Sequence, residues 1–296
     1  MPIQLSPYEF SLFSRFMETR TGIEIRENKS YLIETRLTRL ITEGGYPSFY
    51  RLYRAMCDDP SGLLAERVVS ALTTNETFWF RDRTPWQFLQ QELLPRFVQE
   101  LRLGQRQRVR VWSAASATGQ EAYSTAMLID RYLTANHIYD VRLPQFEILA
   151  TDISPAALEK AKSARYDRIA MTRGLDADIR ERYFQPEGDG YRLCDRIRNA
   201  VTFRKFNLQD SFAPLGCFDV VFLRYVMIYL SEAVRRDIMD KLARTVRPEG
   251  ALFLGASELY RDIGHSFSTR RFERSLVYIR SNPPRNTGAC TIQPVE

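Results

Sequence analysis

Apolar and polar positions recur along this chain with two different periods, and the change falls near residue 108. Before it the period is helical. Ser6 stands ahead of "PYEFSLFSRFMETRTG", which offers an N-cap, a proline at the first helical position and a glycine stop at Gly22. In "NKSYLIETRLTRLITEGG", Ile33, Leu37, Leu40 and Ile41 fall at i, i+4, i+7 and i+8, one apolar face of a helix closed by Gly44 and Gly45. Lys29, Arg36 and Arg39 project within about 80° of one another, away from the centre of that face. They form a basic stripe that is expected to be exposed, as a solvated face or as a docking surface.

After residue 108 short β-rich runs take over: "VRVWSA", "FEILATDIS", "VTFRKFNL", "FDVVFLRY" and "GALFLGASE". Amphipathic segments such as "GQEAYSTAMLIDRYL" and "EAVRRDIMDKLARTV" separate most of them. Such alternation predicts right-handed crossovers and an α/β fold, a doubly wound parallel sheet with helices on both faces. Two late runs, "FSTRRFER" and "SLVYIR", follow closely enough to add an antiparallel pair at one edge. Turn residues cluster in "PEGDG" between "YFQ" and "YRLCDRI", a hairpin signal. The predicted organisation is a helical domain over 1–72, a linker and the start of the second domain over 73–107, and that domain over 108–280. A small β-subdomain is inserted at about 178–202, and 281–296 form a loosely attached tail.

Composition excludes more than it selects. The chain has 296 residues, 44% hydrophobic and 26% charged, which suits one large domain and a smaller companion. No apolar run approaches the ~18 residues of a membrane span, and "MPIQLSPYEF" lacks the features of a signal peptide, so a cytoplasmic protein without membrane insertion is expected. Four scattered cysteines and two histidines, His137 and His265, leave no material for a metal site or a histidine-based nucleophile. The formal net charge of +6 permits nucleic acid or an acidic protein as partner and demonstrates neither.

In a doubly wound sheet, ligands bind beyond the carboxyl ends of the strands. The first strand leads into "SAASATGQEAYS", whose small residues let backbone approach a ligand and which places Glu121 at the start of a helix. Gly119 is its only glycine, so this is no dinucleotide fingerprint. Asp152 ends the second strand, where an acid accepts hydrogen bonds from two ribose hydroxyls. Its alternative role is a helix N-cap, although Ser154 before Pro155 fits that role better. Asn207 and Leu208 follow the third strand as an amide and an apolar surface for an adenine. An adenosine site without a pyrophosphate loop points to S-adenosylmethionine.

With "TTNETFWFRD", "WSAASATGQEAYSTAM", "ATDIS", "NL", "FDVVFLRYVMIYL" and "RPEGALFLGASE" in this order, the chain resembles the CheR family of chemotaxis receptor methyltransferases over roughly residues 6–280. The resemblance implies a class I S-adenosylmethionine-dependent methyltransferase domain, a Rossmann-like sheet, behind the helical domain. It implies methyl transfer to glutamate side chains of chemoreceptors. It also implies that Asn75, Thr77, Arg81, Glu121, Asp152, Asn207 and Leu208 line the cofactor site, with Arg224 and Tyr225 closing it. "TTNETFWFRD" would then join the two domains and pass over the cofactor, its aromatics shielding the methyl donor or gluing the domains. The family has Arg-Asn where this chain reads Arg224-Tyr225, and a tyrosine does not reproduce both hydrogen bonds of an amide.

A glutamate carboxylate is ionised near neutral pH, so methyl transfer to it needs no general base. Arg81 and Tyr229 are the groups expected to orient that carboxylate. The implied partner is the cytoplasmic helical bundle of a receptor, met by Lys29, Arg36 and Arg39, by a monomer that works without a C-terminal pentapeptide tether because the hairpin turn is short. A nucleic-acid methyltransferase is disfavoured, since "RYVM" stands where an Asn-Pro-Pro-Tyr type motif is expected. A non-catalytic module that binds cofactor or receptor is the remaining alternative.

Overall fold

A computed structural model describes residues 3–260, 266–273 and 275–282. The expected loose tail falls on 283–296, outside the described residues, apart from its first two positions.

Helices α1 (Pro7–Thr21), α2 (Ser30–Gly44), α3 (Phe49–Asp58) and α4 (Leu63–Leu72) form the N-terminal domain. At the start of α1 the Ser6 hydroxyl accepts from the Glu9 amide at 3.3 Å, and the Glu9 carboxylate accepts from the Ser6 amide at 2.9 Å. The other Glu9 oxygen accepts from the Tyr50 amide at 2.8 Å, so the cap also ties α1 to α3. Gly22 ends α1 at φ +75°, and a Cβ there would lie 2.9 Å from Val234 of the second domain. That position therefore needs glycine twice, for its backbone and for the close approach. Phe13, Ile33, Leu37, Ile41, Phe49 and Leu52 bury the predicted apolar faces in a core of their own.

The second domain adds α5 (Arg83–Phe88), α6 (Leu94–Arg102), β1 (Val109–Ala114), α7 (Gln120–Ala135), β2 (Phe146–Asp152), α8 (Pro155–Ser163), β3 (Arg165–Asp167), α9 (Arg168–Met171), α10 (Ala177–Tyr183), β4 (Phe184–Glu187), β5 (Gly190–Leu193), α11 (Asp195–Arg198), β6 (Val201–Lys205), β7 (Phe218–Leu223), α12 (Glu232–Thr245), β8 (Val246–Leu254), β9 (Phe267–Phe272) and β10 (Ser275–Arg280). The large sheet runs β6-β2-β1-β7-β8-β10-β9. From β6 to β8 every pairing is parallel, and β10 and β9 close one edge antiparallel, as the late runs predict. Strand order reverses between β1 and β7, which makes their carboxyl ends the switch point.

The small sheet runs β3-β5-β4 and begins upstream of residue 178. Its first strand, Arg165–Asp167, is three residues long and carries no readable period. Into this sheet fits the linker. Trp79 is 0% exposed, with ring centroids 4.7 Å from Tyr166 and 5.1 Å from Phe184. Gly174 makes the fit possible, because a Cβ there would lie 1.9 Å from the Trp79 carbonyl oxygen. Phe78 lies between the guanidinium groups of Arg81 and Arg173, at 5.2 and 4.9 Å, and Phe80 packs on Trp86 at 5.4 Å. None of the three aromatics lines the cleft described below. Their work is to fasten the linker, with burial as the driving force, and the expected shielding of a methyl donor is not their role. No helix among the described residues is long and apolar enough to cross a membrane.

Candidate functional site

A cleft opens at the switch point, walled by strand ends on one side and by the N-terminal domain and linker on the other. After β1 the chain turns through Ala115 and Ala117 at φ +58° and +48°, a strained course that small side chains tolerate and that brings backbone to the cleft floor. Asp152 ends β2 and is 5% exposed. Its two oxygens accept from the amides of Ala117 at 2.8 Å and Ser154 at 2.9 Å. Burial outweighs these bonds and raises its pKa above the ordinary carboxylate value. Ser154 caps α8, its hydroxyl accepting from the Ala157 amide at 3.2 Å, which leaves Asp152 free of that task.

After β7 comes a chain of charges. Arg224 is 6% exposed and reaches Glu121 at 3.0 Å, Asp82 at 2.6 Å and the Arg81 carbonyl at 2.6 Å. Glu121 also accepts from the Ser113 hydroxyl at 2.7 Å. Arg224 is thus a buried cation that orders two carboxylates. Tyr225 follows at φ +59°, its amide donating to Glu258 and its hydroxyl to Asp82, both at 2.6 Å. Burial first, then the Asp82 hydrogen bond, raises the Tyr225 pKa. Burial pushes Asp82 upward, but the Tyr225 hydroxyl together with Arg224 and Arg81 outweighs it, and the net shift is downward. Glu258 is buried and also accepts from the amides of Gly255 at 2.8 Å and Ile228 at 3.2 Å, which shapes the turn carrying Tyr229.

Arg81 lies with its guanidinium 3.4 Å from the centre of the Tyr225 ring and donates to the Glu76 carbonyl at 3.1 Å. Tyr229, Asn75, Thr77 and Leu208 are half-buried and line the same cleft. Asn207 lines it as well, but its amide donates to the Arg20 carbonyl at 2.8 Å and accepts from the Gln209 amide at 3.1 Å, so it also ties α1 to β6. The N-terminal domain closes the wall further where Glu24 donates its amide to the Tyr229 carbonyl at 2.8 Å. The basic stripe is divided. Lys29 and Arg36 line the cleft, and Arg36 donates to the carbonyls of Leu72 at 2.8 Å and Thr73 at 3.2 Å and to the Thr74 hydroxyl at 3.0 Å. Arg39 lies outside the cleft, exposed and paired with Glu43 at 2.7 Å.

Three contributors went unread in the sequence: Asp82, Glu258 and the Thr21–Ile25 segment. The pattern shows Asp82 beside Arg81 and Glu258 in "GASE", yet only the folded chain shows what each carboxylate binds. The cleft suits an adenosine-bearing sulfonium cofactor. Asp152 keeps a second acceptor position on each oxygen, and the Ser116 hydroxyl and Arg224 Nε are buried in the cleft wall without a hydrogen-bond partner among the described residues.

This mostly parallel sheet, with its acid at the end of β2 and its small-residue turn after β1, has the architecture of an S-adenosylmethionine-dependent methyltransferase. Two family models match the chain: the CheR methyltransferase all-alpha domain over residues 8–73 and the CheR methyltransferase SAM binding domain over residues 75–275. A chemotaxis protein methyltransferase of Pseudomonas putida is 40% identical over 271 residues, covering 91% of this chain and 97% of that protein. One from Pseudomonas aeruginosa is 40% identical over 91% of this chain and 97% of its own length, and one from Vibrio parahaemolyticus 37% over 93% and 98%. The chain belongs to the CheR methyltransferase family.

Proposed function

We propose that the protein transfers the methyl group of S-adenosylmethionine to glutamate side-chain carboxylates of chemoreceptors, forming glutamate methyl esters and S-adenosylhomocysteine. The observation that carries this reading is the Arg81 guanidinium, stacked at 3.4 Å on Tyr225 in the same cleft as Tyr229, with no carboxylate in ion-pair contact among the described residues. An immobilised guanidinium without an ion-pair partner, beside a phenol, suits an incoming carboxylate. Bound S-adenosylmethionine supplies a methyl group activated by its sulfonium charge. Asp152 accepts ribose hydroxyls with its remaining lone pairs. Asn75, Thr77, Glu121, Asn207, Leu208, Arg224 and Tyr225 shape the rest of the cofactor wall, and Arg81 and Tyr229 orient the acceptor. No residue is asked to remove a proton, because the acceptor is ionised already.

The partner in this reading is the cytoplasmic helical bundle of a receptor. Lys29, Arg36 and Arg39 would meet it, of which Lys29 and Arg39 are exposed and Arg36 is half-buried and bound to the linker. The β4–β5 hairpin turns on Gly188 and Asp189 alone, which supports binding without a C-terminal peptide tether. Methyl-labelled S-adenosylmethionine incubated with the protein and receptor-bearing membranes tests the reaction. Label released as methanol by mild base is expected, and label that resists base, or none in receptor, would rule out ester formation.

A further inference from the structure

We propose that Tyr225 is a positioning residue: it holds the Arg81 guanidinium flat and turns its N–H edge toward the methyl-accepting carboxylate, a role that rests on the acceptor reading above. Tyr225 directly follows the buried Arg224 and lines the cleft beside Arg81. The ring lies 3.4 Å from the guanidinium carbon, van der Waals contact for a stacked pair.

The ring itself cannot tilt away freely. Its hydroxyl donates to Asp82 at 2.6 Å, and the backbone amide donates to Glu258 at 2.6 Å. Asp82 is in turn held by Arg224 at 2.6 Å. The backbone pays for this arrangement, since Tyr225 and Asp82 are both held at positive φ, +59° and +56°. Such conformations are disfavoured for a side-chain-bearing residue and persist where surrounding contacts over-determine them. Here the surrounding contacts converge on one outcome, the fixed plane of Arg81.

A stacked guanidinium keeps all its N–H donors in plane and available at the edge. One edge of Arg81 donates to the Glu76 carbonyl at 3.1 Å. Asp82, the nearest acid in sequence, is occupied by Arg224 and the Tyr225 hydroxyl and forms no ion pair with Arg81. Arg81 acts on Asp82 only at longer range, lowering its pKa without an ion pair, so its remaining N–H donors are open to the planar, two-oxygen geometry of a carboxylate.

The test compares Tyr225→Phe, which keeps the ring, with Tyr225→Leu, which removes it. An Arg81 Nε–Hε resonance, assigned with Arg81→Lys, reads the stack directly by its ring-current upfield shift. That shift should survive in Tyr225→Phe and shrink in Tyr225→Leu to the smaller contribution of Phe78 at 5.2 Å, and an undiminished shift in Tyr225→Leu overturns the proposal. It is read without turnover, so it stands apart from failure of the ester assay. In receptor methylation, Tyr225→Leu should raise the receptor KM about tenfold, with Tyr225→Phe within about threefold of wild type. Combining Tyr225→Leu with Arg81→Lys should add no further loss. Additive losses would show that Tyr225 acts independently of Arg81.

Discussion

The Arg36 guanidinium donates across 2.8 Å to the backbone carbonyl of Leu72, the last residue of α4. The same group reaches Thr73 and Thr74, two and one positions before Asn75, so α2 grips the linker just where it enters the cleft. A residue of the N-terminal domain thereby supports the cofactor wall.

It follows that Arg36 and Arg39 separate in their effects. Arg36→Ala should cost about 1 to 3 kcal/mol of stability, the range for lost hydrogen bonds to a charged donor, and should weaken S-adenosylhomocysteine binding severalfold. Arg39→Glu should leave that affinity unchanged while slowing receptor methylation at low salt and flattening its salt dependence. Calorimetry and methylation rates across a salt series check both, and equal cofactor effects from the two variants would refute the division.

Asp152 should make cofactor binding depend on pH. Its folded-state pKa is raised because burial disfavours the charge. Hydroxyl donors from a ribose favour the ionised form, so binding lowers that pKa and releases a proton where the free carboxyl is still protonated. Affinity for S-adenosylhomocysteine should therefore be steady at neutral pH and weaken as pH falls toward the carboxylate range. Asp152→Ala should remove this dependence and about 1.5 to 3 kcal/mol of binding energy. Calorimetry in buffers of different ionisation enthalpy measures the released proton.

Arg224 neutralises two acids, with its side chain 2% exposed and those of Glu121 and Asp82 13% and 27%. Replacing it with methionine leaves both carboxylates without their cation, and removing one partner of a buried pair costs about 3 to 5 kcal/mol. Urea unfolding should show a loss of that order for Arg224→Met. Adding Glu121→Gln should recover part of it, and a double variant no more stable than the single one contradicts the assignment.

The small sheet offers a test of tethering. C-terminal peptides of candidate receptors should bind more weakly than micromolar, because the β4–β5 hairpin closes on a two-residue turn with no longer loop to clasp a strand. Micromolar binding by any such peptide, lost when residues 184–193 are replaced, would show that a tether is used.

Local period and capping chemistry are legible along the chain. Ser6 and Gly22 mark the ends of α1 because an orphan amide and a left-handed turn each have a short list of suitable residues. The strands β1, β2 and β7 read as largely apolar runs because both faces of a parallel sheet are covered. Asp152 was placed at its strand end by the same pattern, and its place at the cleft follows from strand order. Only the tertiary structure decided the rest. β3 is too short to have a period, and the aromatics of 78–80 found their partners in a sheet formed by residues far along the chain. Arg36 sits on the outward arc of α2 by its spacing, yet it is bound because α4 happens to end beside it. Tyr225 reads as a departure from a motif, and its use depends on Arg81 and Asp82 from the linker and Glu258 from beyond β8 arriving at one place. Periodicity describes one element at a time, whereas a stacked cation and its anchors are set by how distant elements pack.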